Sequence, residues 1–413
     1  MTDVSHRLAE LPELGVVPAE MTAQVIRQDR LGDPREAFQI ERVPVPEPGP
    51  GEVLVAVMAA GINFNNVWAA RGEPVDVIEV RRRRGEDTDM HVGGSDASGI
   101  VWAVGEGVAS PVVGDEVVLH PGWWEADDPW VLSGRDPMIA PSARIWGYDT
   151  GHGSFAQFAL AQAHQCMPKA PQLTWEEAAA PTLVGTTAYR MLFGWAGNAL
   201  RADDVVLVWG GSGGVGIQAI QLAASHGAHP VAVVSDAARG EYCVEHGAVG
   251  YVDRSPFDHW GVPPHWTDEA GQRTWSKGVR AFGKAIWDVV GRRNPAIVIE
   301  HPGEATIPTS AYVCERGGMV VVCAGTTGYS ASVDLRFHWV LQKRLQGSHG
   351  TNDEQARAYN ELIRAGTVGP ALGEVVAFEE IPRAHWEMGE GIEVFGNRVA
   401  LVGARERGLG ARR

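Results

Sequence analysis

A chain of 413 residues, 45% apolar and 21% charged, has an ordinary globular balance, enough for about two to three domains and a sizeable core. Its 35 basic and 51 acidic side chains leave a formal charge of −16, which repels nucleic acid and anionic membrane, so an anionic ligand needs a local basic patch. Cys166, Cys243, Cys314 and Cys323 are scattered, without a CxxC pair or a tight Cys/His cluster, which argues against a structural zinc site and a disulfide framework and for reduced cytosolic thiols. Residues 1–20 lack the basic start and apolar core of a signal peptide, and no apolar run reaches the length of about 18 residues that spans a membrane.

Residues 1–45 read as a helical lead-in followed by a first strand, Thr22–Arg27, before the prolines at 44, 46, 48 and 50. From Gly51 to Leu119 short strands alternate with Gly and Pro turns; Glu52–Met58, Ser98–Val104 and Asp115–Leu119 predict a small barrel-like β domain. Residues 120–150 read as a long functional loop in which Trp123 and Trp124 are packing residues, and the run Arg81–Arg84 as a solvated loop. From Thr186 the period changes. A helix (Thr187–Phe193), a buried strand (Asp204–Trp209), a helix (Gly216–His226), a strand (Pro230–Ser235), a helix (Glu241–His246) and a strand (Gly250–Asp253) follow in turn. A polar, Trp-rich insertion (254–284) precedes strands at Ala285–Val290, Ala296–Glu300 and Gly318–Ala324. Alternating strands and helices predict a doubly wound parallel sheet. A helix at Asp353–Ala365 and strands at Gly373–Ala377 and Arg398–Val402 return to the first domain, so the expected division is 1–185, 186–344 and 345–413.

Gly210-Gly211-Ser212-Gly213-Gly214-Val215-Gly216 lies between a predicted strand and a predicted helix, with Gly211, Gly213 and Gly216 in GxGxxG spacing. Such glycines allow a tight turn, close approach to a pyrophosphate, and helix–strand packing, and the helix N-terminus favours phosphate. A glycine turn in an empty βαβ unit is the bland alternative. The second strand ends Ser235-Asp236-Ala237-Ala238-Arg239. Ser235 in first place and Arg239 within reach of a 2′-phosphate favour NADPH over NADH; Asp236 points the other way, and Arg239 also reads as a solvated helix-start cation.

These features together resemble the medium-chain dehydrogenase/reductase superfamily, implying a GroES-like β-barrel catalytic domain plus a Rossmann domain. Where its zinc alcohol dehydrogenases carry a Cys and a Gly-His-Glu motif, this chain has Gly61-Ile62-Asn63-Phe64-Asn65-Asn66 and Gly93-Gly94-Ser95-Asp96, so no metal is expected. The segments NFNNVW (63–68), GGSDASGIVWAVG (93–105), GRDPMIAPSARIWGYDT (134–150), GSFAQF (153–158), EHPGEAT (300–306) and QKRLQGSH (342–349) are similar to the crotonyl-CoA carboxylase/reductase family, over roughly residues 22 to 405. The resemblance implies NADPH-dependent hydride transfer to the β-carbon of an enoyl-CoA and attack of the resulting enolate on CO2. It further implies a homo-oligomer arranged as a dimer of dimers.

The family's catalytic positions fall on Asn65, Tyr148, Asp149 and His349. Asn65 and His349 would donate to the CO2 oxygens, where charge develops, and the carboxylate would orient a water or the His. The family's positions around the CoA nucleotide fall on Arg316, Arg336, Phe337, Lys343 and Arg344. Asp149 stands where the family usually has Glu, a reach shorter by about 1.5 Å, and a misplacement of that order costs about 100-fold. Gly350-Thr351 replaces Phe-Ala, and a lost aromatic is expected to widen the pocket or admit water, which would protonate the enolate and give plain reduction. Plainer roles also fit: Asn65 or Asp149 capping a turn, His349 as a structural histidine, the arginines as a solvated face. The rivals are a non-carboxylating enoyl-CoA or quinone reductase and a non-catalytic NADPH-binding protein. Acyl chain length is not legible.

Overall fold

The computed structural model describes residues 8–392 and 394–412. They form two compact units, one running to Thr186 and resuming at Gly350, the other Thr187–His349. The fold is a mixed α/β one, an antiparallel β unit and a parallel sheet interleaved with helices.

The first unit is organised on Glu52–Ile62, which pairs antiparallel with Ala97–Val104, Phe158–Gln162 and Asn397–Leu401. Its sequence EVLVAVMAAGI is buried almost throughout because alternate residues face two cores. Val53, Val55 and Val57 join one cluster with Phe155, Trp146 and Phe378. Leu54 and Ala56 join the other with Met21, Trp102 and Phe158. The C-terminal return is made by Leu372–Val376 and Asn397–Leu401, a parallel pair on the same sheet.

Two expectations are corrected here and a third is met. Of the helical lead-in, residues 1–7 lie outside the described residues, and from 9 to 19 the chain is turn and irregular; beyond the first strand, Phe38–Pro44 is a further strand, paired along its length with Glu20–Arg27. Arg81–Arg84 is not a solvated loop. Arg81 lies on the helix Val77–Arg83, on the face that buries Val77 and Ile78, and is 4% exposed. Its charge is met by Glu86 at 2.7 Å and the Met90 carbonyl at 3.0 Å. In the long 120–150 excursion Trp123 and Trp124 are packing residues as expected: Trp123 lies against the barrel core, and Trp124, Met138 and Ile145 form a small core beside a two-residue ladder (Gly122–Trp123 with Arg144–Ile145).

In the second unit six parallel strands are ordered β3-β2-β1-β4-β5-β6, where β1 is Val205–Trp209, β2 His229–Val234, β3 Gly250–Asp253, β4 Ile297–Glu300, β5 Met319–Val322 and β6 Arg344–Gly347. Helices α1 (Gly214–Ser225), α2 (Ala237–Glu245), α3 (Glu269–Val290) and α4 (Ile307–Val313) connect them. The run VVLVW of β1 is buried at every position, as a central parallel strand covered on both faces must be. The strand expected at Ala285–Val290 is instead the last part of α3. Trp275, Val279, Phe282 and Ile286 recur at helical spacing and bury one face; the short apolar run read by itself hid that longer period. Phe282 stacks on Trp209 (centroids 5.5 Å, 11° between planes) with Phe257 and Trp260 edge-on. Among the described residues no helix is long and apolar enough to cross a membrane.

Phe282→Ala empties the middle of this aromatic cluster and is expected to destabilise the second unit by about 3–5 kcal/mol. Denaturant unfolding followed by tryptophan fluorescence checks this; a loss below about 1 kcal/mol would mean that the cluster does not hold α3 to the sheet.

Candidate active site

The glycine-rich turn joins β1 to α1. Gly213 is the N-cap of α1 and puts no side chain on the helix's first N–H groups, while Gly214-Val215-Gly216 form its first turn. A Cβ at Gly216 would lie 2.3 Å from the Gly210 carbonyl oxygen, so only glycine lets this helix start so close to the strand. Ser212, in the turn, is 2% exposed. After β2 the Ser235 hydroxyl donates to Asp236 at 3.1 Å, and Asp236 caps α2 by accepting the Arg239 N–H at 3.0 Å. That backbone hydrogen bond is the main cause holding the Asp236 carboxyl below its usual range. The acid that competed for a ribose hydroxyl is thus engaged as a helix cap. The Arg239 guanidinium meets the Ser212 hydroxyl at 3.2 Å. Uncapped helix N–H groups, two serine hydroxyls and a guanidinium therefore gather at one place, a donor set that fits nucleotide phosphates.

In the first unit the quoted motifs converge through their backbones. Ser154 and Phe155 donate to the Gly94 and Gly93 carbonyls at 3.0 Å each, Val92 donates to Gly151 at 3.2 Å, and Gly153 donates back to Val92 at 2.9 Å. Asn66, fully buried beside Gly93, accepts the Gly94 N–H at 3.1 Å and donates to Asn65 Oδ1 at 3.0 Å; Asn65 Nδ2 donates to Ser95 Oγ at 2.8 Å. This relay fixes which end of the Asn65 amide faces which way. Ser95 takes one of its two N–H groups.

Tyr148 packs against both the barrel core and the Trp124–Met138–Ile145 cluster. Asp149 closes its own turn: Oδ2 accepts the Ile145 N–H at 2.8 Å, and its own N–H donates to the Ile145 carbonyl at 2.8 Å. Gly350 has the ends of two apolar side chains beside it. Its φ is +62°, and a Cβ there would meet Met138 Cε at 2.5 Å and Ile145 Cδ1 at 2.8 Å. His349 is an exposed residue at the end of the second unit.

The five CoA candidates divide. Arg336 is exposed and forms a bidentate pair with Asp334, Nε to Oδ1 and Nη2 to Oδ2. Arg316 donates to the Val340 carbonyl at 3.1 Å, and Arg344 to the Ala196 carbonyl at 3.2 Å. Lys343 does not present its ammonium to solvent: it is 7% exposed and donates to the Ala311 and Tyr312 carbonyls at 2.7 and 3.0 Å, at the end of α4. Phe337 sets its ring edge-on against Tyr312 at 4.9 Å. A CoA role is therefore withdrawn for Lys343, and no ring contact with adenine is carried forward for Phe337.

Sequence reading passed over two polar groups. Glu300, fully buried, accepts the Gly303 N–H at 3.1 Å, the Thr306 hydroxyl at 2.5 Å and the Ser310 hydroxyl at 2.6 Å. It orders the loop after β4, and the acid inside the EHPGEAT segment was the available signal. His120, His164 and Asp353 form a cluster; with 44 positions from His120 to His164 and 189 from His164 to Asp353, spacing held no signal for it.

Residues 49–171 match the alcohol dehydrogenase GroES-like domain and residues 214–365 the zinc-binding dehydrogenase domain. With the β unit and the glycine turn described above, they define a medium-chain dehydrogenase/reductase. The positions that bear zinc ligands in such enzymes hold Asn63, Asn65, Asn66, Ser95 and Asp96, with Asn66 donating to Asn65 and Asn65 to Ser95, and this set does not fit a catalytic zinc. The chain is 47% identical to the crotonyl-CoA carboxylase/reductase of Cereibacter sphaeroides, over 98% of this chain and 93% of that one. It superposes on the crotonyl-CoA carboxylase/reductase AntE in complex with NADP with a TM-score of 0.93, at 50% identity and covering 96% and 98% of the two chains. The 2-octenoyl-CoA carboxylase reductase CinF, solved with NADP and 2-octenoyl-CoA, gives 0.88 at 34% identity, covering 99% and 95%. The chain belongs to the crotonyl-CoA carboxylase/reductase family.

Burial pushes the Glu300 carboxyl up from 4.5 to about 7. The folded value is the higher one, so the stability this group contributes is complete below about pH 4.5 and lost as pH rises through 7. At about 1.4 kcal/mol per unit the loss amounts to about 3 kcal/mol. Unfolding free energies of the wild type and Glu300→Gln at pH 5 and 8 should show a pH dependence smaller by about 2–3 kcal/mol in the variant; parallel profiles would mean that Glu300 is ionised throughout.

Proposed function

We propose that the chain catalyses the NADPH-dependent reductive carboxylation of a 2-enoyl-CoA, crotonyl-CoA or a longer homologue, to an alkylmalonyl-CoA. Family membership supports the reaction type, and the NADP complexes of AntE and CinF support the cofactor. Bound NADPH supplies the hydride that adds to the β-carbon. Gly211 to Gly216, Ser212, Ser235 and Arg239 hold its phosphates. Arg316, Arg336 and Arg344 are the cations offered to the CoA phosphates.

The observation that carries the carboxylation reading is the relay Gly94–Asn66–Asn65–Ser95. The α-carbon carbanion must meet CO2 before it meets a proton, and the growing carboxylate needs donors already aimed at its oxygens. Asn65 has an amide whose orientation is set and whose second N–H remains for such an oxygen. His349 is the second donor, and Tyr148 forms an apolar wall that keeps water from the carbanion. Asp149 favours a second reading, because a carboxylate that closes its own turn is poorly placed to orient a water or the His. On that reading the enzyme is a plain NADPH-dependent enoyl-CoA reductase.

The family's setting is a cytosolic homo-oligomer, and the open edge of β6, flanked by exposed Leu335, Trp339, Val340 and Leu345, supports self-association. The reaction test is NADPH oxidation with crotonyl-CoA at saturating bicarbonate and carbonic anhydrase, with mass analysis of the product. Ethylmalonyl-CoA is expected. Butyryl-CoA alone, whatever the CO2 level, would overturn carboxylation and leave the reductase. Arg239→Ala is expected to weaken kcat/KM for NADPH about 10- to 100-fold and to leave NADH nearly unchanged; equal losses with both would remove Arg239 from the 2′-phosphate site.

A further inference from the structure

His120, His164 and Asp353 offer three ligand atoms within 4.8 Å of one another, a spacing that would suit a divalent cation. Hydrogen bonding decides otherwise. The Gly122 N–H donates to His120 Nδ1 at 3.2 Å, which assigns the lone pair to Nδ1 and the proton to Nε2. A metal at Nε2 would require the opposite tautomer, with an N–H pointing at an N–H. His120 Nε2 instead donates to Asp353 Oδ1 at 3.0 Å.

His164 faces acceptors with both nitrogens, Asp353 Oδ1 at 2.8 Å from Nδ1 and Gln162 Oε1 at 2.6 Å from Nε2. The Gln162 amide is not free to turn round, because its Nε2 donates to the Trp124 carbonyl at 2.8 Å and its Oε1 accepts the Trp124 N–H at 3.4 Å. A neutral imidazole has a single N–H; an imidazolium satisfies both acceptors. The Trp124 ring lies over His164 at 4.2 Å with 27° between planes, where an aromatic face stabilises a cation. Burial by itself would raise the Asp353 carboxyl, but the hydrogen bonds from the two histidines outweigh it and hold the carboxyl well below the usual range.

Asp353 is the first residue of α5 (Asp353–Arg364), and the chain entering that helix lies against the 120–150 excursion. Gly350 lies against Met138 and Ile145, the Thr351 carbonyl against Gly122, and Asn352 donates to Asp136 at 3.3 Å while capping α5. Immediately before this segment stands His349.

We propose that Asp353, clamped between His120 and His164, is a positioning residue for carboxylation: the tie anchors Gly350-Thr351-Asn352 to the 120–124 and 162–165 segments and thereby sets where the chain delivers His349. The inference rests on the carboxylation reading. The donor to CO2 must stand within a fraction of an ångström of its place, and a hydrogen-bonded ion pair under an aromatic lid fixes one end of its peptide without blocking the other.

The test measures the ratio of ethylmalonyl-CoA to butyryl-CoA, kcat and KM for crotonyl-CoA, and the melting temperature, in the wild type, Asp353→Asn, Asp353→Glu and His164→Ala. If the wild type makes butyryl-CoA only, the carboxylation reading itself fails, and this inference with it. If the wild type carboxylates, Asp353→Asn and His164→Ala are expected to lower the product ratio about tenfold or more, with KM changed less than about threefold, and Asp353→Glu to restore part of it. A ratio unchanged in whichever of these variants folds makes the tie structural and overturns the proposal. So does stoichiometric zinc in the wild type, measured by plasma mass spectrometry and lost in Asp353→Asn.

Discussion

The buried amide of Asn66 holds the catalytic half of the molecule in register. It sits beside two glycine peptides with no exposure to solvent, accepting from Gly94 and donating to Asn65. A buried amide left unpaired costs on the order of 1–3 kcal/mol, so the segments 63–68 and 93–96 cannot drift apart independently. The same glycine carbonyls receive Ser154 and Phe155, which tie in the end of the long excursion. Motifs dispersed over some 90 residues are thus one hydrogen-bonded object, and the direction of the Asn65 amide is a property of that object rather than of a single side chain.

This explains which parts were legible in the sequence. β1, the glycine turn and α1 were readable because strand burial, turn chemistry and helix period agree locally. The strand Phe38–Pro44 was missed because its pairing partner, not its own pattern, makes it a strand, and the end of α3 was misread because six apolar-rich residues look alike in helix and strand. At the site, the residue types at 65, 148, 149 and 349 were legible by resemblance, but their hydrogen bonds were not. Nothing in the order of residues says that Asp149 folds back on Ile145, that Lys343 turns inward to α4, or that His164 and Asp353 meet. Those facts depend on contacts between positions far apart in the chain.

The two departures from the family pattern now have physical content. At Gly350 the ends of the Met138 and Ile145 side chains lie where a Cβ would project, and a positive φ favours glycine there. At Asp149 the shorter side chain reaches its own turn, which stiffens the loop bearing Tyr148 and withdraws one carboxylate oxygen from any other task. Two buried ionisable groups pull the units in opposite directions with pH. Glu300 favours acid in the second unit, whereas His385, whose ring burial holds down to about 4, weakens the first unit as pH falls from 6.5 through that value.

The most direct test of this account is the product partition of Ser95→Ala. Ser95 is fully buried and accepts the Asn65 amide, so its hydroxyl sets the donor without facing solvent. The account predicts that this variant folds, oxidises NADPH with crotonyl-CoA, and releases butyryl-CoA in place of ethylmalonyl-CoA at a ratio shifted about tenfold or more. An unchanged partition would show that the fixed orientation of Asn65 does not decide between CO2 and a proton, and would contradict it.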